Sequence, residues 1–183
     1  PEDALLSWGW RIPYLLSALL LMAGLYVRLS VGESPVFQRV SSPRTERPPL
    51  LQVLRRPAPL LLACAIGIGP FALTALLSTY MLSYATAIGY RASSVMTGLL
   101  FVSITALVMI PVFSTISDRV GRRGVVMAGA VGIVGFAWPL YALVGTGSVP
   151  LLIVAMIIGQ ILQSAMYAPL GVLFSEMFGT LVR

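Results

Sequence analysis

The sequence predicts an all-α protein that crosses a membrane several times, as a polytopic bundle of about five transmembrane helices. Hydrophobic residues make up 58% of its 183 residues and charged residues only 10%, whereas a water-soluble domain carries about 25% charged residues. The charges are also clustered, since none falls within residues 57–90, 92–117 or 124–175. A helix of about 20 apolar residues crosses the hydrocarbon core of a bilayer, so each run is long enough to span it.

Five spans are predicted, at about 12–30, 58–84, 94–116, 124–144 and 150–174. The last two share one uncharged run, and we divide it at 145–150, where two glycines and a proline suited to a helix start indicate a turn. A backbone in hydrocarbon must pair its own polar groups, which leaves helices or closed barrels. These runs are continuous rather than alternating and are too long for barrel strands, so helices are expected.

Arginine sets the predicted orientation. The connections on one side of the bundle hold ten arginines, six within 28–56, three within 117–123, and Arg183. The connections on the other side hold two, Arg11 and Arg91. Positive residues favour the cytoplasmic side, so we expect the 28–56 loop and the C-terminus in the cytoplasm of a multi-pass protein of the plasma (inner) membrane.

A charged motif, S-T-I-S-D-R-V-G-R-R over residues 114–123, lies between the third and fourth spans. It resembles the G-x-x-x-D-R-x-G-R-R signature of the major facilitator superfamily, with Ser114 at the first glycine. The segments G-W-R-I-P-Y-L-L-S (9–17) and E-S-P-V-F (33–37) look like the sixth helix of the metabolite:proton symporter family and its exit. Residues 166–183 are similar to that family's tenth helix and its E-x-x-P-T-x-x-R ending.

The resemblance implies a partial major-facilitator fold that covers about the sixth to the tenth of twelve helices. Residues 1–30 would be a periplasmic loop and the last helix of the N-terminal bundle, 31–56 a cytoplasmic inter-bundle loop, and 57–183 four helices of the C-terminal bundle. The loop either lies on anionic lipid or is a solvated linker. The remaining helices of the same transporter and the lipid bilayer would be its partners.

The resemblance also implies a secondary transporter that works by alternating access, with proton symport of a small polar or anionic metabolite. Members of this family carry proline/betaine, shikimate, 2-oxoglutarate and related solutes. A non-functional truncated transporter fragment is the first alternative, and a membrane-embedded enzyme is the second. We expect no enzyme, cofactor, metal or nucleic-acid partner, since the sequence has no His, one Cys and no phosphate-binding loop.

The charged motif is a candidate cytoplasmic gate. Asp118 would end one helix, and Arg122 and Arg123 would begin the next, each against the local helix dipole. Partners elsewhere are therefore expected, and we predict that Glu176 pairs with Arg122 or Arg119. The alternative is that the charges only set topology. The predicted gate residues are Asp118, Arg119, Gly121, Arg122, Arg123 and Glu176.

A polar stripe on the fifth span is the candidate for solute contact. Four of its residues recur at helical spacing and share one face, namely Gln160, Gln163, Ser164 and Tyr167. Glutamines in hydrocarbon are costly unless they face a cavity or other helices, so the stripe either contacts solute or joins helices by hydrogen bonds. Thr74 and Ser78 on the second span are weaker candidates.

Two features of the predicted spans bear on mechanism. Residues 67–70, G-I-G-P, either bend the second span near a binding site or allow close packing at the glycines. No acid, His or Lys lies at mid-membrane in this sequence. A proton-coupling group is therefore expected on other helices, or the protein is not proton-coupled.

Overall fold

The computed structural model describes residues 5–30 and 57–179, which are almost entirely helical and contain no strand. Five helical segments in this part of the chain are long and apolar enough to cross a membrane: Ser7–Ser30, Pro57–Ala87, Ala92–Val120, Arg122–Val144 and Val149–Met177. The predicted all-α fold with five spans is therefore confirmed. The predicted loop 31–56 and the C-terminal residues 180–183 lie outside the described residues.

The first helix, α1 (Arg11–Ser30), follows a π-helical turn at Leu5–Gly9 and belongs to a unit separate from residues 57–179. Arg11 secures its start, since its Nη1 donates to the Ser7 carbonyl at 2.7 Å and its guanidinium lies 4.6 Å from the centre of the Trp10 ring. Such aromatic and basic residues are typical of a membrane–water interface.

The described part of the second unit, residues 57–179, contains six α-helices. Their bounds are α2 (Pro57–Ala75), α3 (Met81–Ala87), α4 (Ala92–Val120), α5 (Arg122–Val144), α6 (Val149–Tyr167) and α7 (Leu170–Gly179). A π-helical turn at Leu76–Tyr80 joins α2 to α3, so the two helices form one span. Helix α2 runs through Pro70 to Ala75, and the change in helical hydrogen bonding falls after it rather than at residues 67–70.

The charged motif lies on helix ends and not in a loop. Helix α4 continues through Asp118 and Arg119 to Val120, and α5 begins at Arg122. Only Gly121 separates the two helices, with φ of 102°, a conformation that glycine adopts far more readily than other residues. The sequence prediction ended this span early because charged residues were assigned to the loop, although charges on a last helical turn can reach water.

The fifth predicted span is two helices. Helix α6 ends at Tyr167, and α7 begins at Leu170. Pro169 lies between them and has no N–H to donate to the carbonyl four residues earlier, so it interrupts the α-helical hydrogen bonding. This break follows the polar stripe directly.

Helix α6 is the centre of the second unit and packs mainly against α4 and α5. Glycines allow these helices to approach closely, as small residues do in membrane bundles. Gly98 of α4 faces Met156, Gly129 of α5 faces Met166, and Gly159 of α6 faces Leu77. At the other end from the charged motif, the Tyr90 hydroxyl donates to the Val144 carbonyl at 2.8 Å.

Gly129→Ala should destabilise the protein by about 1–3 kcal/mol, the usual cost of overpacking. A methyl group there would lie 3.0 Å from the backbone carbonyl oxygen of Leu162 and 2.7 Å from Met166 Cγ. Gly135→Ala on the same helix is the matched control, because a methyl group there meets nothing within 4 Å. Thermal unfolding of the purified protein in detergent measures both, and equal midpoints for the two variants would contradict this account of the packing.

Candidate functional site

The polar stripe of α6 forms a buried hydrogen-bonded network at the middle of the bundle. Gln160 Nε2 donates to Gln163 Oε1 at 2.9 Å and to Ser164 Oγ at 3.2 Å. All three side chains are buried. The predicted shared face is therefore observed, and each amide finds polar partners in a part of the bundle that is otherwise apolar.

The network crosses to the second span. Gln163 Nε2 donates to Thr74 Oγ1 at 2.8 Å and, more weakly, to the Pro70 carbonyl at 3.4 Å. The Thr74 hydroxyl donates back to the Pro70 carbonyl at 2.9 Å, and Ser78 Oγ donates to the Thr74 carbonyl at 2.6 Å. Such bonds to the preceding turn are common for Ser and Thr in helices. Gln163 therefore joins helices by hydrogen bonds, one of the two roles that the sequence left open.

The same side chains line a cavity of about 520 Å³ between α2, α4 and α6. Its polar lining includes five of the six sequence-predicted residues, Thr74, Ser78, Gln160, Gln163 and Tyr167. Ser164 does not line it and lies fully buried under Gln160. A volume of a few hundred Å³ with an apolar lining and a few polar groups is typical of small-molecule sites.

Tyr167 lies at the end of α6, beside the Pro169 break. Its ring meets the Phe71 ring edge-to-face with centroids 6.0 Å apart, and its side chain is half-exposed. The two aromatic rings therefore form part of the cavity wall beside the network.

Helix α4 supplies a wall that the sequence prediction did not include. Its contributing residues recur at helical spacing and are Leu99, Val102, Ser103, Ala106 and Ile110. Ser103 is the polar member, and its hydroxyl donates to the Leu99 carbonyl at 3.0 Å. Ser103 is one of several serines and threonines in this apolar span, and such residues are too common in membrane helices to indicate a site.

The charged motif and Glu176 meet at one end of the bundle. Arg122 contacts Glu176 Oε1 through Nη1 and Asp118 Oδ1 through Nη2, the latter at 3.6 Å. The Arg122 side chain is 23% exposed, whereas both carboxylates are about 60% exposed. Of the two pairings predicted for Glu176, the structure contains the one with Arg122. Arg119 is exposed and forms no ion pair with any residue described.

This cluster surrounds an open groove of about 680 Å³. Its lining combines the motif residues Asp118, Gly121, Arg122 and Arg123 with Glu176 and Leu173 of α7. Helix α7 thus contacts the α4–α5 junction through one ion pair, and the acid balances an arginine at the positive N-terminus of α5. Within residues 5–30 and 57–179, no group of three His, Cys, Asp or Glu side chains could hold a metal ion.

Comparison with known proteins finds that the chain is similar to membrane transport proteins. It is 31% identical over 190 residues to the inner membrane metabolite transport protein YhjE of Escherichia coli K12. It is 29% identical over 189 residues to the shikimate transporter of the same strain, and 25% identical over 194 residues to the proline/betaine transporter of Salmonella typhimurium. Each match covers 100% of this chain. No solved structure matches it.

The chain spans 43%, 43% and 39% of the lengths of these three relatives, in the same order. The family model of the Major Facilitator Superfamily matches residues 4–182. Five apolar helices long enough to cross a membrane agree with that match. This multi-pass membrane protein therefore belongs to the major facilitator superfamily.

Proposed function

We propose that this chain contributes to a secondary active transporter that moves a small polar or anionic metabolite, with proton symport, by alternating access. The observation that carries the proposal is the cavity of about 520 Å³. It lies at mid-bundle between three spans, and its polar network centres on Gln160 and Gln163. Amide side chains are costly in hydrocarbon and typically face a bundle interior or an aqueous pathway.

The names of the relatives favour small polar solutes, because they include a shikimate transporter and a proline/betaine transporter. No Asp, Glu, Lys, Arg or His lines the cavity among the residues described. The proton-carrying group is therefore proposed to lie on helices other than these. We further propose a plasma (inner) membrane location, with residues 28–56 and the C-terminus in the cytoplasm.

The charged cluster is proposed to stabilise closure at the cytoplasmic end. Arg122 joins the α4–α5 junction to α7 through Glu176, and α7 continues from the helix that carries Gln160 and Gln163. Breaking this ion pair would release α7 from the junction and leave the open groove between them wider. In this proposal the pair forms in the inward-closed state and breaks when the cavity opens to the cytoplasm.

Uptake of radiolabelled solutes by cells that express the full-length reading frame tests the transport proposal. The panel is betaine, proline, shikimate and 2-oxoglutarate, with and without a proton uncoupler. We expect uncoupler-sensitive uptake of at least one solute and an approximately tenfold lower uptake efficiency for Gln163→Ala. Removing the Gln163 amide would leave Gln160 Nε2 and Thr74 with fewer hydrogen-bond partners, which costs about 1–3 kcal/mol.

Thr105→Val is the matched control for Gln163→Ala. Its hydroxyl also lies in a span but donates to its own helix, at the Phe101 carbonyl, and does not line the cavity. We expect uptake close to that of the wild type. Absence of uptake of every solute, by protein shown to reach the membrane, would contradict the proposal and favour an inactive transporter fragment.

Exchanging the charges of Arg122 and Glu176 tests the proposed closure. Each single variant, Arg122→Glu or Glu176→Arg, should lower uptake by about fivefold, which corresponds to a partly exposed ion pair of about 1 kcal/mol. The double variant with both charges exchanged should recover most of the lost uptake. A carboxylate at position 122 would lie beside Asp118, so recovery should be greatest with Asp118→Asn added.

Arg119→Gln provides the comparison, because Arg119 makes no described ion pair and its effect should simply add to that of Glu176→Gln. If the exchanged pair were no more active than the worse single variant, the charges would act on topology alone.

Cysteine labelling on intact cells tests the proposed orientation. Cys64 is the single cysteine of the sequence, and Cys64→Ser removes it. Thr146→Cys, in the exposed turn between α5 and α6, should react with a membrane-impermeant maleimide. Val120→Cys, exposed at the charged end, should react only after permeabilisation. The reverse pattern would place the charged cluster outside.

A further inference from the structure

We infer that the wall of the cavity formed by α2, α4 and α6 receives hydrogen-bond donors of the solute, an ammonium group or hydroxyl groups, and that Gln160 Oε1 is the principal acceptor. This inference rests on the proposed transport function and specifies the chemistry of the same site. It follows from the direction of every hydrogen bond in the network, which leaves acceptors facing the cavity.

The Pro70 carbonyl determines which groups of the network donate hydrogen bonds and which accept them. Its carbonyl oxygen can only accept, and the Thr74 hydroxyl uses its one hydrogen on that oxygen. The Gln163 atom that faces both groups must therefore be the donor Nε2. This orientation turns Gln163 Oε1 toward Gln160, so Gln160 in turn must donate through Nε2.

Gln160 consequently has no donor left to offer. One hydrogen of Nε2 goes to Gln163 and the other to Ser164. Its Oε1 accepts no hydrogen bond from a described residue, yet no fully buried side-chain nitrogen or oxygen in that part of the chain lacks a partner. Gln160 Oε1 must therefore remain accessible, and Gln160 lines the cavity.

The hydroxyl groups of the wall present acceptors as well. Ser78 and Ser103 donate their hydrogens to carbonyls of the preceding helical turn, at 2.6 and 3.0 Å. Each oxygen keeps lone pairs that can accept from a ligand. Tyr167 is the exception, since its hydroxyl has no described partner and can donate or accept.

A carboxylate is a poor match for this wall. It would meet oxygen acceptors at Gln160, Ser78 and Ser103, and no Lys or Arg lines the cavity among the residues described. An ammonium or a hydroxyl group can donate to Gln160 Oε1 and, if cationic, also contact the faces of Phe71 and Tyr167. A carboxylate on the same solute must then bind elsewhere in the transporter.

Matched pairs of solutes test this inference on the wild-type protein. Uptake of labelled proline and shikimate, which carry N–H or hydroxyl donors, is measured with the full-length transporter. Betaine and 2-oxoglutarate, which lack such donors, are measured in the same assay. Unlabelled competitors are each donor-bearing solute and its fully N-methylated or O-methylated derivative. We expect a donor-bearing solute to be transported and its methylated derivative to compete about tenfold less well, the loss expected for one hydrogen bond to a charged or buried group.

Gln160→Met separates hydrogen bonding from size, because Met keeps the length of the side chain and cannot accept strongly. The variant should raise KM for the donor-bearing solute about tenfold with little change in maximal rate. It should also reduce the preference over the methylated derivative to less than about threefold, since the lost bond is the one that methylation removes. Thr105→Val is the control and should retain the full preference.

The outcomes separate this inference from the transport proposal. Uptake confined to betaine or 2-oxoglutarate, or an unchanged preference in a folded Gln160→Met protein, overturns the assignment of the acceptor wall while transport stands. If that variant fails to reach the membrane, the wild-type competition alone decides, and equal competition by the methylated derivatives overturns the inference. No uptake of any of the four solutes overturns the transport proposal and this inference with it.

Discussion

The close approach of α5 and α6 is the constraint on which the rest of the second unit depends. Gly129 lies so near the Leu162 carbonyl that a side chain would displace backbone, and Gly159 leaves room for the Leu77 side chain. Lipid tails are as apolar as a leucine core, so burial alone gives helices in a membrane little reason to associate. Glycines permit contact at short range, and the dispersion energy of that contact holds the helices together where the hydrophobic effect cannot. Helix α6 is thereby surrounded, and its glutamines are held inside the bundle instead of meeting lipid.

Once α6 is buried, its polar face must be satisfied internally, and the second span provides the means. Pro70 and Thr74 present oxygens on the turn that faces Gln163, so the amide of one helix is oriented by the backbone of another. The same bonds that attach α2 to α6 also determine which atoms face the cavity. Helix packing and solute chemistry are therefore not independent here, because a change that loosens α2 also frees the amides to turn.

The sequence was sufficient for the number of spans, their approximate ends and the shared face of the α6 stripe, since all three follow from hydrophobic run length and helical spacing. The Glu176–Arg122 contact was also among the predicted pairs, because opposed helix dipoles called for a partner. The α4 wall with Ser103 could not be predicted from the sequence, because it depends on how three helices are rotated against one another. The π-helical turn at Leu76–Tyr80 was not foreseen either, since no proline or glycine lies within it.

Gly121 joins α4 and α5 as a single residue. A connection of this length has almost no slack, so the two helix ends cannot separate, and any displacement of α4 along its axis must be shared by α5 within about one residue's reach. The turn at the opposite end of α5 is longer, with Gly145–Ser148 between the helices. Helix α5 is thus joined closely to α4 at one end and through a longer turn to α6 at the other. Insertions in related chains should accordingly collect at residues 145–148 and be excluded at residue 121.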